Sequence, residues 1–177
     1  MPYQLEITLQ DVDPPIWRRV VVPADLTLAD LHHVIQIVMG WSDYHLHDFT
    51  IRGRRYALPH EENYDHPANE ETTRLRDVVK ARSRFTYQYD FGDDWVHVIR
   101  VEKATADTTD VEPVCIDGAR ACPPEDSGGP FGYAEKLEAF ARPRRRATAY
   151  LREWMGDFDA EAFDLAAVNK QLRDFFA

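Results

Sequence analysis

Cysteine is scarce in this chain, with only Cys115 and Cys122 among 177 residues. That excludes the disulfide framework that staples small secreted domains, and two reduced thiols inside a cell are the expectation. The six residues between them do not match the two-residue spacing of a zinc knuckle. Long apolar runs are also missing: none approaches the roughly 20 residues of a membrane span, and no basic-then-apolar leader opens the chain. A cytoplasmic protein with no membrane partner is expected. Positive charge is in short supply, the formal net charge being -10. Such a field repels nucleic acid phosphates, so nucleic acid is not the expected partner. Lysine is rare, since arginine provides 17 of the 21 basic residues. Also absent are a Gly-x-Ser-x-Gly elbow, a cysteine-protease signature and a His-Glu-x-x-His run. The glycines after Ser127 do not make a phosphate loop. No Lys-Ser or Lys-Thr follows them, and Glu125 and Asp126 would repel a phosphate.

The 44% apolar and 12% aromatic residues are enough for a sizeable core. A single domain over residues 1–177 is expected, with a sheet-rich core over 1–102, an ordered loop region over 103–132 and C-terminal helices over 133–177. Tyr3, Leu5, Ile7 and Leu9 alternate with polar residues, and a second strand runs from Ile16 to Val22, so the two should pair as a hairpin. Thr27 with Asp30 three residues on, then Leu28, Leu31, Ile35 and Val38 on one face, predicts a helix to Met39 that Gly40 stops. A third strand should carry His45, His47, Phe49 and Ile51 on one side. Residues 59–71 read as an exposed loop and 75–79 as a short helix.

The densest chemistry lies in Phe85 to Val101. Phe85, Tyr87, Tyr89 and Phe91 alternate with polar residues, and Trp95, His97, Ile99 and Val101 repeat the pattern after a turn. This predicts a long antiparallel hairpin with an aromatic face and Asp90, Asp93 and Asp94 at its tip. A short strand is expected over 111–116 and a Gly/Pro-rich surface loop over 115–133. Helices should follow over 133–141, 145–155 and 165–175, the last capped by Asp164. The fold class is α+β: a β-grasp-like mixed sheet with a long antiparallel hairpin, one main packing helix and C-terminal helices.

His45-x-His47 is the sharpest metal signal, because residues two apart on a strand share a face. With His97 as a third nitrogen, and Asp93, Asp94 or Asp48 supplying oxygen, the set would suit zinc, or iron or manganese with more carboxylate. The same histidines could instead line an aromatic sheet face. Asp90 and Asp93 are the candidate acid and base, since crowded carboxylates raise one another's pKa. Turn preference accounts for Asp93 and Asp94, whereas Asp90 falls inside the strand pattern. Arg142 and Arg144 to Arg146 flank Pro143 between two helices and are the candidate basic face.

Taken together, Pro15-Ile16-Trp17-Arg18, Gly40-Trp41 through His45-Leu46-His47-x-Phe49, Tyr89-Asp90-Phe91-Gly92-Asp93-x-Trp95-x-His97 and Cys122-Pro123-Pro124-Glu125-Asp126-x-Gly128-Gly129 with Gly132-Tyr133 resemble the plasmid pRiA4b ORF-3-like family. The resemblance runs from about Tyr3 to Phe175. It implies a fold and an association with plasmids and mobile elements, but no established activity. Some relatives carry a resolvase-type transposon label, yet this acidic chain has neither the serine context nor the basic domain a resolvase needs. Many relatives have cysteine where Ser127 stands, a departure that weighs against Cys115 and Cys122 belonging to a three-cysteine metal site. Three readings follow. The first is a non-catalytic interaction module whose partner the sequence does not name, a protein being one candidate, with a surface built from Asp94, Trp95, Glu125, Asp126, Gly128, Gly129 and Tyr133. The second is a metal-dependent hydrolase using His45, His47 and His97 with Asp90 or Asp93. The third is a DNA-associated accessory protein using the arginines.

Overall fold

The computed structural model describes residues 2–59, 66–104, 112–141 and 146–177, with the backbone alone given for residues 104, 146–148 and 152. The basic stretch 142–145 lies outside the described residues, as does the side chain of Arg146. No helix among the described residues is long and apolar enough to cross a membrane.

The alternating N-terminal residues form β1 (Pro2–Leu9) and β2 (Trp17–Pro23), paired antiparallel with Leu5 opposite Val20. Helix α1 (Leu28–Met39) begins with a complete capping box: Thr27 Oγ1 accepts from the Asp30 amide at 3.0 Å, and the Asp30 carboxylate accepts from the Thr27 amide. Then follow β3 (His47–Ile51), β4 (Arg54–Ala57), the two-residue β5 (Ala68–Asn69) and the short α2 (Leu75–Val78). The long hairpin is β6 (Arg84–Tyr89) and β7 (Trp95–Ala104), in register with Tyr89 opposite Trp95. β8 (Val114–Ala119), α3 (Gly129–Ala141), α4 (Arg146–Met155) and α5 (Leu165–Phe176) complete the chain.

The expected α+β class is present, with its mixed sheet, long hairpin and packing helix. The sheet has eight strands in the order β5-β4-β3-β6-β7-β1-β2-β8. β1 runs antiparallel to both its neighbours, β2 and β7, and the parallel pairing is β4 with β5. Because side chains alternate across a strand, one face gathers Leu5, Ile7, Val20, Phe49, Phe85, Tyr87, Tyr89, Trp95 and Ile99, all buried in the core that α1 shares. The other face carries Glu6, Arg19 and Glu102, joined by ion pairs from Arg19 of 2.8 and 2.9 Å.

Arg18 points into the core and is 1% exposed. Its guanidinium donates to five backbone carbonyls: Val38 at 2.6 Å, Trp17, Ala119 and Arg120 each at 2.8 Å, and Met39 at 3.4 Å. Two of these end α1, where unpaired carbonyls and the negative end of the helix dipole meet a cation. Burial lowers its pKa, but a guanidinium keeps its charge. At the β8 edge, the Asn169 side chain of α5 accepts from the Cys115 amide and donates to the Cys115 carbonyl, both at 2.8 Å.

Several local expectations need correction. The segment 115–133 is not all loop: β8 takes its start and α3 its end. Gly118 sits in β8 where the Phe163 ring and the Arg18 side chain leave no room for a Cβ, and Pro130 stands in the first turn of α3, where its absent N–H costs nothing. Residues 59–71 are not all exposed, since Glu70 is 1% exposed. In α5, Leu172 is buried whereas Phe175 is 52% exposed, and Phe176 packs in its place.

Candidate functional site

Three distant segments meet at the tip of the long hairpin. The tip residues are held by Asp90, which sits just past β6 with φ of 56° and accepts from the amides of Gly92 at 3.0 Å and Asp93 at 3.3 Å through Oδ1. Asp90 is therefore a turn residue, not the strand residue its place in the alternation predicted. An aspartate that tolerates left-handed backbone and bonds two amides ahead is a common turn former. Asp93 Oδ2 accepts from the Gly128 amide at 2.8 Å, fastening the Pro123–Gly129 loop to the tip. Gly129 follows with φ of 68°, lying so close under the Asp93 carbonyl that a Cβ would overlap the oxygen. Glu125 Oε1 accepts from the Ser42 amide at 2.7 Å and from the Tyr89 hydroxyl at 3.1 Å. That hydroxyl also accepts from the Tyr44 amide at 3.0 Å, and the Asp90 amide donates to Leu46 O at 2.9 Å. Burial, with Glu125 alongside, raises the Tyr89 pKa far above neutrality, so the hydroxyl remains a donor.

His45 sits at the centre of this junction. Its Nε2 lies 3.4 Å from Asp126 Oδ1, 3.5 Å from Asp90 Oδ2 and 3.8 Å from Glu125 Oε2. Both His45 Nε2 and Glu125 Oε2 are buried atoms without a hydrogen-bond partner among the described residues.

The histidines expected to share one ion are kept apart. β3 begins at His47, so the two-residue alternation does not reach back to His45. His47 stacks on His32 of α1, ring centroids 3.6 Å apart, and its Nε2 meets Glu70 Oε1 at 2.9 Å. His97 is fully buried. Its Nδ1 lies 3.3 Å from the Tyr87 carbonyl, which only accepts, so Nδ1 carries the proton and Nε2 accepts from Trp41 Nε1 at 3.1 Å. Both nitrogens are thus occupied. Burial holds the imidazole neutral, its pKa down to about 4, although the Tyr87 and Trp95 backbone bonds pull the other way. Asp48, an expected oxygen donor, is taken by Arg55 Nε at 2.6 Å. Asp94 accepts from Gln88 Nε2 at 2.6 Å. Two compact groups of metal-ligating types occur among the described residues, His45-Asp90-Asp126 and His32-His33-Asp43, and neither unites His45, His47 and His97.

The second group is already bonded. Gln36 Nε2 donates to the Tyr87 hydroxyl at 2.9 Å, so that hydroxyl donates to His32 Nδ1 at 2.8 Å, and His32 Nε2 is left to donate to Asp43 at 2.9 Å. Burial, with His47 and His33 nearby, takes the His32 pKa down to about 2. Burial likewise pushes both thiols up, against the pull of Arg18, so neither Cys115 nor Cys122 is a ready nucleophile.

Of the expected surface motif, Asp126 and Gly128 are exposed and Glu125 half-buried, whereas Trp95, Gly129 and Tyr133 belong to the interior. The exposed apolar side chains carried by the junction segments are others: Tyr44 and Leu46 on either side of His45, Phe91 beside Asp90, and Phe131 in the first turn of α3, while Leu58, Ile116, Tyr150, Trp154, Leu165 and Phe175 are exposed elsewhere in the chain. Sequence patterning also missed Tyr89 as a bridge and Glu70 as a buried acid. The first looked like one more core aromatic, and the second sat in a stretch without periodicity.

The same chain of elements recurs in known proteins. A solved structure described as a protein of unknown function, MM3350 from Methanosarcina mazei Go1, is 38% identical, with a TM-score of 0.85 over 93% of this chain and 95% of that one. Uncharacterized protein y4hQ of Sinorhizobium fredii is 39% identical over 98% of this chain and 92% of its own length. The family described as plasmid pRiA4b ORF-3-like protein matches residues 2–167, which span the hairpin, the His45 segment and the Pro123–Gly129 loop. By that match and those identities, the chain belongs to the plasmid pRiA4b ORF-3-like family.

Proposed function

We propose that this protein is a non-catalytic binding module whose contact face is the junction of the His45 segment, the hairpin tip and the Pro123–Gly129 loop. The observation that carries this reading is the placement of Tyr44, Leu46, Phe91 and Phe131. These side chains are 78, 73, 43 and 76% exposed; Tyr44 and Leu46 flank His45, Phe91 follows Asp90, and Phe131 stands two residues past Gly129. Large apolar side chains left in water around a rigidly bonded centre are the ordinary makings of a protein contact, with aromatic anchors inside and a polar rim. The hydrogen bonds across the junction hold the anchors in place before a partner arrives, which lowers the entropy lost on binding. The net charge of -10 favours a partner segment that carries basic residues beside its own apolar anchors.

The test is selection from a displayed peptide library of defined composition. Sequences pairing apolar anchors with Lys or Arg are expected to be enriched, and Leu46→Ser with Phe131→Ser should abolish the enrichment while leaving the far-UV spectrum unchanged. Enrichment that survives both substitutions, or none with the wild-type chain, overturns the reading.

A further inference from the structure

We infer that His45, Asp90 and Asp126, with Glu125 beside them, form a site for one divalent transition-metal ion. The spacing decides between a hydrogen-bonded histidine and a metal ligand. An imidazole N–H bonded to a carboxylate settles at about 2.7–2.9 Å from one oxygen. His45 Nε2 instead stands 3.4, 3.5 and 3.8 Å from oxygens of three different carboxylates. Those separations are longer than such a charge-assisted bond and lie near the edge lengths of a coordination polyhedron. Ligand bonds of about 2.1 Å arranged tetrahedrally place neighbouring donor atoms about 3.4 Å apart. The donor atoms of His45, Asp90 and Asp126 all lie within 4.8 Å of one another.

A second observation is independent of the spacing. The Asp90 side chain is only 10% exposed, and with Oδ1 committed to the tip amides its Oδ2 is aimed at His45. His45 Nε2 and Glu125 Oε2 are buried polar atoms with no bonding partner among the described residues. Buried polar atoms are normally satisfied, and three carboxylates crowded around one ring nitrogen repel one another. One cation would answer both conditions. The other compact group, His32-His33-Asp43, has no such need, because both His32 nitrogens are already bonded at 2.8 and 2.9 Å.

One imidazole with carboxylate oxygens is a donor set for zinc, or for manganese or iron(II), rather than for a soft copper(I) ion. Three ligands from His45, Asp90 and Asp126 leave a position that Glu125 or an outside donor can fill. The inference goes beyond the binding face and does not rest on it, since an ion can be counted with no partner present.

The experiment is equilibrium dialysis of the untagged, chelator-treated chain against zinc and, separately, manganese, with bound metal counted by elemental analysis. One ion per chain is expected for at least one of the two metals. His45→Ala and Asp126→Asn should each weaken it at least about tenfold, the lower end of what even outer-shell partners contribute. Asp126 is 76% exposed at its side chain, so its asparagine variant keeps the fold and isolates the metal effect. Asp43→Asn should leave binding unchanged. No bound ion, wild-type affinity in both His45→Ala and Asp126→Asn, or loss of the ion in Asp43→Asn overturns the assignment.

Discussion

Gly129→Ala should be among the most damaging single-methyl changes available to this chain, and the structure lets its cost be separated into two parts. Gly129 has φ of 68°, a region that costs an ordinary L-residue about 1–2 kcal/mol. The added Cβ would also overlap the Asp93 carbonyl oxygen, which belongs to backbone and cannot swing aside. The loop must then lift from the hairpin tip, which breaks the bond from the Gly128 amide to Asp93 Oδ2, worth about 1–2 kcal/mol at a partly exposed position. Together these come to about 3 kcal/mol. Gly53 provides the control: its φ is 75°, but a Cβ there would meet nothing within 4 Å, so Gly53→Ala carries the backbone part alone, about 1 kcal/mol. Equilibrium urea unfolding followed by tryptophan fluorescence measures both. With a slope of about 2 kcal/mol per molar urea, the midpoint should fall by about 1.5 M for Gly129→Ala and about 0.5 M for Gly53→Ala. Equal shifts would show that the loop does not press on the hairpin tip as described.

His97 should make the fold acid-sensitive. Its pKa falls from the ordinary 6.5 to about 4 on burial, so between those values the unfolded chain binds the extra proton and the folded chain does not. Stability is therefore fully present above about pH 6.5 and declines as pH drops toward 4, by up to about 3 kcal/mol. His32 contributes in the same direction and further into acid, its pKa being about 2. Urea midpoints across that range should fall with pH and fall less in His97→Gln, and an unchanged slope in the variant would remove His97 as a cause. Arg18→Lys should cost about 3 kcal/mol or more in the same assay, because an ammonium has three donors where the guanidinium serves five carbonyls. A lysine variant as stable as wild type would mean those carbonyls do not need the fork.

Much of the frame was legible because it rests on local periodicity. Thr27 and Asp30 announce the start of α1, and the alternation of Phe85, Tyr87 and Tyr89 with Trp95, His97 and Ile99 marks the hairpin and its buried face. The same rule misled where it was carried past the end of a strand. His45 and His47 share a face only if both lie in β3, and Asp90 and Phe91 continue the pattern only if β6 does not end at Tyr89. The site itself depends on contacts between residues far apart in sequence. Glu125 reaches Ser42 and Tyr89, and Asp93 reaches Gly128, pairings that no spacing encodes. Glu70 was invisible for a similar reason, since its partner His47 lies 23 positions away.

The Asn169 amide against β8 has a consequence for how copies of this chain meet. β8 is the outermost strand on its side of the sheet, so its free backbone groups would otherwise invite a strand from a second molecule. By giving and taking one bond at Cys115, Asn169 does what the next strand would do, with α5 laid over the exposed ladder. The opposite border is β5, only two residues long and too short to template an addition. Among the described residues one border is bonded at Cys115 and the other is only two residues long, which leaves little ladder for a second molecule to extend.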